Sequence, residues 1–416
     1  MDYGKVIERL SPSREEQKRA EQAIECFLSR MGRIKDAKVL VGGSFAKGTW
    51  ITGMYDIDVF VCFDYKRYSE KSGVLSELLE KVLKIKKIGC KRIHGSRDYF
   101  EVKAGGYSFD VIPILEILNA KQAKNTTDCS PLHTKWVKKN IDKKLADQVR
   151  LLKAFCAAQK CYGAESYIKG FSGYACEILT AHYGSFITVA RAASKWSEDK
   201  KTVIDCDGHY KSKNALAVMN VSKTQSPLVI IDPVQKDRNA AAASSTETFG
   251  RFRHAAAKLL LNPSEKFFTI SITTPEQLKR KSKSRNVIVL EAVPMEGKDD
   301  VVYTKILKAG EHIKQKLEFN GFKIYDSGIE WNKNPLLWIV TDKRIDRHTI
   351  TEGPPLNAKS HVERFRKAHK GGVFVKGKKA YARIKRAHTE PSTLLKAIIR
   401  SDSYIKERAK RVILHD

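Results

Sequence analysis

Apolar positions along the chain change their period from segment to segment, and those changes outline the domains. After Ser11-Pro12, residues Ala20, Ile24, Phe27, Leu28 and Met31 recur at helical spacing and predict one buried stripe. Ser13 followed by Glu16 supplies a capping box at the start of that helix. The period then drops to two. Val39-Leu40-Val41 is a short apolar run that predicts a buried strand, and residues 56–61 alternate polar and apolar like a strand with one covered face. A helical stripe returns over residues 74–85. Residues 99–103 and 107–112 flank Gly105-Gly106 and predict a hairpin. Residues 1–128 therefore predict a small palm, a mixed sheet with helices, whose first long helix backs the sheet.

Residues 129–262 carry helical spacing. Leu145, Val149, Leu152, Phe155 and Cys156 form one stripe, and Ser172 offers an N-cap for a helix over 173–179. The alanines after Asn239 favour helix as well. From Pro263 the composition shifts. Residues 267–270, 286–293, 322–326 and 336–340 predict strands, and 301–319 predict a helix with Val302, Ile306, Ile313 and Leu317 on one face. Strands enclosing a helix suggest an RNA-recognition-like α+β body over 263–342, followed by a basic tail, 343–416, that returns to the body. The expected fold class is thus α+β multidomain, with no internal repeat.

Charge changes the picture most. The 416 residues hold 77 Lys+Arg against 47 Asp+Glu, a net charge of +30. Such a surplus favours a polyanionic partner, most simply nucleic acid. Much of it lies in residues 342–411, where Arg364, Phe365, Arg366 and Lys367 are followed by Lys376, Lys378 and Lys379. Aromatics interleaved with a basic stripe fit sequence-independent contact with an RNA backbone. The run 279–285 predicts a solvated basic loop. No apolar stretch approaches bilayer length and the N-terminus lacks a signal-like core, so the expectation is a cytoplasmic protein without a membrane partner. Its eight cysteines form no C-x-x-C pair and predict reduced, mostly buried thiols.

The chemistry concentrates in residues 39–63. The apolar run breaks at Gly42-Gly43-Ser44, where glycine permits a sharp turn and the close approach of an anion. Period-two geometry puts Asp56 and Asp58 on one face, where two carboxylates repel unless a cation sits between them. A hard divalent ion, Mg²⁺, suits oxygen ligands and also bridges phosphates. Asp110 lies in a second alternating segment. If that strand pairs beside the first, three acids converge on one site. Asp56, Asp58 and Asp110 are thus the candidate metal ligands of a two-metal phosphoryl transfer, with Gly43 and Ser44 holding a triphosphate. An Asp-x-Asp pair alone is usually a solvated face, and a Gly-Gly-Ser turn alone is usually only a turn. The ordered set is far rarer.

At these residues, GSFAKGTW followed by DIDVFV, the chain resembles the nucleotidyltransferase superfamily of DNA polymerase beta. It is especially similar to the branch of archaeal class I CCA-adding enzymes, which are tRNA nucleotidyltransferases. SPLHTKW, QVRLLKAF and CYGAESYIKGFSGYACEIL extend the resemblance through a central domain that covers the incoming nucleotide. The resemblance implies that Ser130 reaches the ribose hydroxyl, that His133, Lys153 and Tyr162 contact the triphosphate, and that Arg238 reads the base edge. It implies CTP and ATP as substrates, Mg²⁺ as cofactor, tRNA bound through its acceptor stem and upper half, and a tail, marked by HVERF, that holds that upper half. It also allows a homodimer, for which no interface is legible. Two departures stand out. Asp56 replaces a glutamate common in archaeal members, and Lys47 replaces an arginine, which keeps charge but loses bidentate geometry and predicts weaker triphosphate binding. Poly(A) polymerases and oligoadenylate synthetases share the Gly-Ser and Asp-x-Asp core. The central and tail motifs separate them from this chain. A non-catalytic RNA-binding protein is disfavoured because all three carboxylates are present, and a sugar-nucleotide transferase because it has no use for the charge.

Overall fold

Helix α1 (Tyr3–Leu10) leads into α2 (Arg14–Met31) in the computed structural model, which describes residues 1–210, 214–280, 282 and 284–415. The expected capping box is present: Ser13 N–H donates to Glu16 and Glu16 N–H donates to the Ser13 hydroxyl, each at 3.1 Å. The chain divides into two units, Met1–Ser271 and Ile272–Asp416.

In the first unit β1 (Ala37–Val41), α3 (Gly43–Lys47), β2 (Asp56–Phe63), α4 (Tyr65–Tyr68), α5 (Leu75–Ile85), β3 (Lys91–Ile93), β4 (Tyr99–Ala104) and β5 (Tyr107–Leu115) follow in order. The strands form one mixed sheet, β1-β2-β5-β4-β3, with β2 and β5 parallel and the other pairs antiparallel. Ile57, Val59, Val61 and Phe63 pack against Phe27 and Met31 of α2 and Leu75, Leu79 and Leu83 of α5. Each such side chain contributes about 1.5–3 kcal/mol by burial. Helix α2 therefore backs the sheet, as its stripe requires. Gly105 and Gly106 both take positive φ (59° and 83°), as a tight two-residue hairpin turn demands. The buried strand expected at Val39-Leu40-Val41 is instead an edge strand. Only one of its faces is covered, and Leu40 is 44% exposed.

Helices α6 (Ser130–Asn140), α7 (Lys143–Ala158), α8 (Gly173–Tyr183), α9 (Phe186–Ala193), α10 (Ala215–Val218) and α11 (Thr246–Leu261) build the rest of this unit, with β6 (Thr202–Ile204) and β7 (Leu228–Ile230). Their core joins Leu152, Phe155, Phe171, Phe186, Phe249 and Phe252 to Val6 and Leu10 of α1. Ser172 caps α8 by accepting from Ala175 N–H at 3.1 Å. The parallel pair β6–β7 was not expected, because three residues per strand show no period. The alanines at 240–243 are not helical. Asn239 Oδ1 accepts from Ile230 and Ala241 N–H at 2.9 and 2.8 Å, which ties the segment to β7 and overrides alanine's preference. Residues 267–270 form no strand either. Glu265–Phe268 is a short 3₁₀ turn whose Phe268 enters the helical core. All eight cysteines are free thiols and five are buried.

The second unit contains α12 (Pro275–Lys279), β8 (Asn286–Val293), α13 (Asp299–Phe319), β9 (Ile324–Glu330), β10 (Leu336–Thr341), β11 (His348–Pro355), α14 (Lys359–Ala368), β12 (Val373–Lys376), β13 (Lys379–Lys385), α15 (Pro391–Ser401), α16 (Ser403–Lys406) and β14 (Arg411–His415). Strands β14-β8-β10-β9 make an antiparallel sheet, so the end of the tail does return to the body. Ile288, Leu290, Leu337 and Ile339 pack on α13 and α15, while Val287, Val289, Trp338 and Val340 cluster with Leu278 of α12. An RNA-recognition domain keeps one sheet face bare for stacking bases. Here both faces are apolar and covered, so the likeness stops at the layer. The basic run 279–285 includes Lys281 and Lys283, which lie outside the described residues. Among the described residues no helix is long and apolar enough to cross a membrane.

Candidate active site

The parallel pairing of β2 with β5 sets Asp58 directly beside Asp110 and Asp56 beside Ser108. Period two then places all three carboxylates on the sheet face opposite the helical core. The hairpin register adds a fourth acid, because Glu101 of β4 pairs with Asp110. Sequence reading missed Glu101, yet the Gly105-Gly106 turn fixes that register and could have revealed it. Asp58 is half-buried, and desolvation raises its pKa, opposed by Lys47 and reinforced by Asp56. Burial also raises the pKa of Asp56, with the Glu101 charge adding to it. Crowded carboxylates that resist ionising form a donor set suited to a hard cation. Among the described residues no three His, Cys, Asp or Glu side chains already surround one metal-sized position.

The glycine turn acts on this cluster directly. Gly42 N–H donates to Asp58 O at 2.8 Å, and Gly43 sits at φ +58°. A Cβ on Gly43 would lie 1.7 Å from Asp58 Oδ2. The anion whose close approach requires glycine is therefore, in the first instance, the Asp58 carboxylate itself. Gly43→Ala should cost about 1–3 kcal/mol through backbone strain and the clash, and should lower nucleotide transfer by at least about tenfold. Thermal melts and initial rates on the same preparation check this. Ser44 follows in the first turn of α3, half-buried.

Behind α3 lies a buried charge network that sequence reading did not assemble. Lys47 Nζ is 2.8 Å from Glu177 Oε2, and the Thr49 hydroxyl donates to Oε1 at 2.6 Å. Lys153 Nζ lies 3.1 Å from both Thr49 oxygens and 3.3 Å from Glu177 Oε1. Arg150 completes the clamp, donating to the carbonyls of Trp50 and Gly48 at 2.8 and 2.6 Å. Burial opposes ionisation of Glu177, but the Lys47 and Lys153 ammoniums overcome it and hold the carboxyl at about 2. Burial lowers the Lys153 pKa despite Glu177. Both lysines expected at the triphosphate are thus engaged internally. Reaching phosphate would require them to exchange Glu177 for phosphate oxygens. The signal for Glu177 was an acid set among Ala175, Cys176, Ile178 and Leu179 on a helix, where only a paired charge is tolerated.

A second buried carboxylate, Asp232, gathers His133 and Arg238. Arg238 Nη1 donates to its Oδ2 at 2.6 Å, and His133 Nε2 lies 3.1 Å from the same oxygen. Burial works against the Asp232 charge, yet its hydrogen-bonding partners and the Arg238 guanidinium hold its pKa well below the carboxylate range. Burial outweighs Asp232 at His133 and lowers its pKa, which favours the neutral imidazole. Tyr162 is half-buried, with its hydroxyl pKa raised by burial; its OH faces Gly173, where a Cβ would lie 3.1 Å away. Ser130 opens α6, half-buried. His133, Lys153, Tyr162 and Arg238 thus line adjoining parts of one helical core in the same unit as the carboxylates.

In the second unit Arg364, Arg366, Lys367, Lys376 and Lys378 are exposed. Lys379 pairs with Glu352. Phe374 stacks on Tyr381 with centroids 5.8 Å apart on the β12–β13 hairpin, and Phe374 is 38% exposed. Phe365 turns inward over Gly353.

Comparison with known proteins agrees in each part of the chain. Residues 21–133 match the nucleotidyltransferase domain, 147–269 the second domain of tRNA nucleotidyltransferase, and 287–411 the C-terminal domain of the CCA-adding enzyme. A CCA-adding enzyme of Nanoarchaeum equitans is 36% identical over 370 residues, covering 87% of this chain and 88% of that one. One from Methanocaldococcus jannaschii is 30% identical over 432 residues, covering 98% and 94%. Among solved structures, the RNA terminal uridylyl transferase Cid1 superposes with a TM-score of 0.52 at 14% identity, over 66% of this chain and 98% of its own. That likeness is one of fold.

Proposed function

The chain belongs to the CCA-adding enzyme family, in its archaeal class I branch, and from that premise we propose that it adds C, C and A to the 3′ end of tRNA from CTP and ATP, without a template, releasing pyrophosphate. The observation that carries the reading is the register of Asp58 against Asp110, which gathers the acids on one sheet face beside the glycine turn. Asp56, Asp58 and Asp110 would hold two Mg²⁺ ions, which typically take one or two carboxylates each and complete their shells with phosphate and water. When bound, such ions supply Lewis-acid stabilisation of the charge that develops during in-line displacement.

The chain's own residues do the remaining work. Asp110 helps accept the proton of the primer's terminal hydroxyl. Gly43 and Ser44 offer backbone N–H and hydroxyl donors to the triphosphate, and Lys47, Lys153, His133 and Tyr162 add donors around it. Ser130 reaches the ribose hydroxyl, and Arg238 meets the base edge with a planar fork that suits acceptors shared by cytosine and adenine. We assign residues 1–128 to the palm, 129–262 to the central domain, 263–342 to the body and 343–416 to the tail. The tail would grip the tRNA backbone. Replacing Arg364, Arg366, Lys376 and Lys378 singly by alanine should weaken all tRNAs alike and reduce the salt slope of binding by about 1 for each phosphate no longer neutralised. Filter binding across a salt series reads this, and a changed preference among tRNAs would contradict the role.

Primer extension tests the whole proposal. Transcripts ending before CCA, after C and after CC are each given one nucleotide, with and without Mg²⁺. Two additions from CTP, then a single A confined to the CC end, are expected. Long A tails on any RNA would indicate a poly(A) polymerase instead, and binding without extension would leave only an RNA-binding protein.

A further inference from the structure

Asp232 stands out among the buried groups of the first unit. Its side chain is fully buried. Besides Arg238 and His133 on Oδ2, its Oδ1 accepts from the Tyr174 hydroxyl at 3.1 Å and from Val234 and Gln235 N–H at 2.8 and 3.3 Å. The loop it starts is closed on itself. Asp232 N–H donates to Arg238 O at 3.0 Å, and Arg238 N–H donates to Gln235 O at 2.8 Å. A second segment braces the same loop from outside: His209 Nε2 is 2.9 Å from Pro233 O, and the Tyr210 hydroxyl donates to Lys236 O at 3.0 Å. So both the backbone that carries Arg238 and one nitrogen of its guanidinium are fixed. The side chain itself remains about one-third exposed, at 34%.

Tyr174 joins this cluster to the catalytic side. Its ring lies 4.3 Å from His133, centroid to centroid, and Lys47 Nζ sits 5.1 Å from the ring centre. Lys47 in turn lies in α3, one turn after Gly43, the residue against which the Asp58 carboxylate packs.

We infer that Asp232 is a specificity-determining positioning residue, which anchors Arg238 by one nitrogen and thereby aims the rest of its fork, with Tyr174 coupling that aim to Lys47 and the carboxylate cluster. The inference rests on the reading of Arg238 as the base-contacting residue. An unanchored arginine can swing to meet acceptors on any base, whereas a fixed fork matches only bases that present acceptors at one place. In Asp232→Asn the amide oxygen still serves the Tyr174 hydroxyl and the two loop N–H groups. Its NH₂ then faces the Arg238 guanidinium, donor against donor, and releases it.

The experiment measures single-nucleotide addition of CTP, ATP, UTP and GTP to tRNA ends by full-length Asp232→Asn, Tyr174→Phe and Arg238→Ala, with melting curves for each. Tyr174→Phe keeps the ring beneath Lys47 and removes only the bond to Oδ1. Expected is a loss of discrimination against UTP and GTP by about tenfold or more in Asp232→Asn and Arg238→Ala, with a smaller loss in Tyr174→Phe. The rate with the correct nucleotide should fall less than the discrimination. A purely structural Asp232 would instead lower all four rates together, which overturns the inference. Relaxed discrimination in Arg238→Ala alone overturns the role of Asp232 and leaves that of Arg238 intact. Unchanged discrimination in Arg238→Ala defeats both. Should Asp232→Asn not fold, Tyr174→Phe decides, and unaltered discrimination there counts against the proposal.

Discussion

Asp58→Asn should abolish nucleotide addition, lowering the rate by at least about 10³-fold, while tRNA binding stays close to that of the parent protein. The carboxylate sits in register with Asp110 and touches the glycine turn at Gly43, so no neighbour can take its place. On the proposed reading the affinity for RNA comes from phosphate contacts by the exposed basic residues of the tail, and one neutralised acid in the sheet removes none of them. Stability separates this loss from unfolding. Exchanging a half-buried carboxylate crowded by Asp56 for a neutral amide should leave the metal-free protein at least as resistant to heat as before. Rates within about tenfold of the parent, in a folded variant, would remove Asp58 from the chemistry.

Glu177→Ala is expected to have the largest effect on stability, a loss of about 3–5 kcal/mol, because it strands two buried ammoniums. Lys47 and Lys153 side chains are only 10% and 4% exposed, and Glu177 faces both. Its pH signature follows from the sign of its shift. The folded-state value of about 2 lies below the ordinary 4.5, so the stabilisation is fully present above about pH 4.5 and is lost as the pH falls toward 2. The amount at stake is roughly 3 kcal/mol for a fully buried group. Denaturant melts between neutral pH and pH 3 should show this acid slope in the parent protein and a much flatter one in Glu177→Gln. A melting curve for Glu177→Ala indistinguishable from the parent's would show the network to be unimportant.

How far the sequence foretold these features depended on the range of the forces involved. The Ser13–Glu16 box, the Gly105-Gly106 hairpin and the Ser172 cap are local hydrogen-bond patterns, and all three formed where expected. The same holds for 301–319, where a sustained stripe decides the helix. Failures came where distant groups won. Val39-Leu40-Val41 is apolar enough for a central strand, but its place in the sheet is set by pairing order, which no run of residues encodes. The alanines after Asn239 obey that side chain's bonds to β7 and not their own propensity. Glu177 and Tyr174 stand in a motif that was recognisable, yet Lys47 and Asp232, which they meet, lie far away in sequence, and only the packed helices bring them together. The three aspartates proposed for catalysis were visible because strand periodicity puts Asp56 and Asp58 on one face and Asp110 stands in a second alternating segment.

The parallel register of β2 and β5 has a consequence for quality control. A slip of one residue would turn Asp110 into the space held by α2 and α5 and push Phe109 and Val111 outward, since every side chain changes face together. A misregistered molecule would therefore lose its activity and expose greasy surface in a single event. Half-correct enzyme, able to bind tRNA and add the wrong ending, is not an accessible product of that error. The sheet that builds the site also marks its own failures for chaperones and proteases to find.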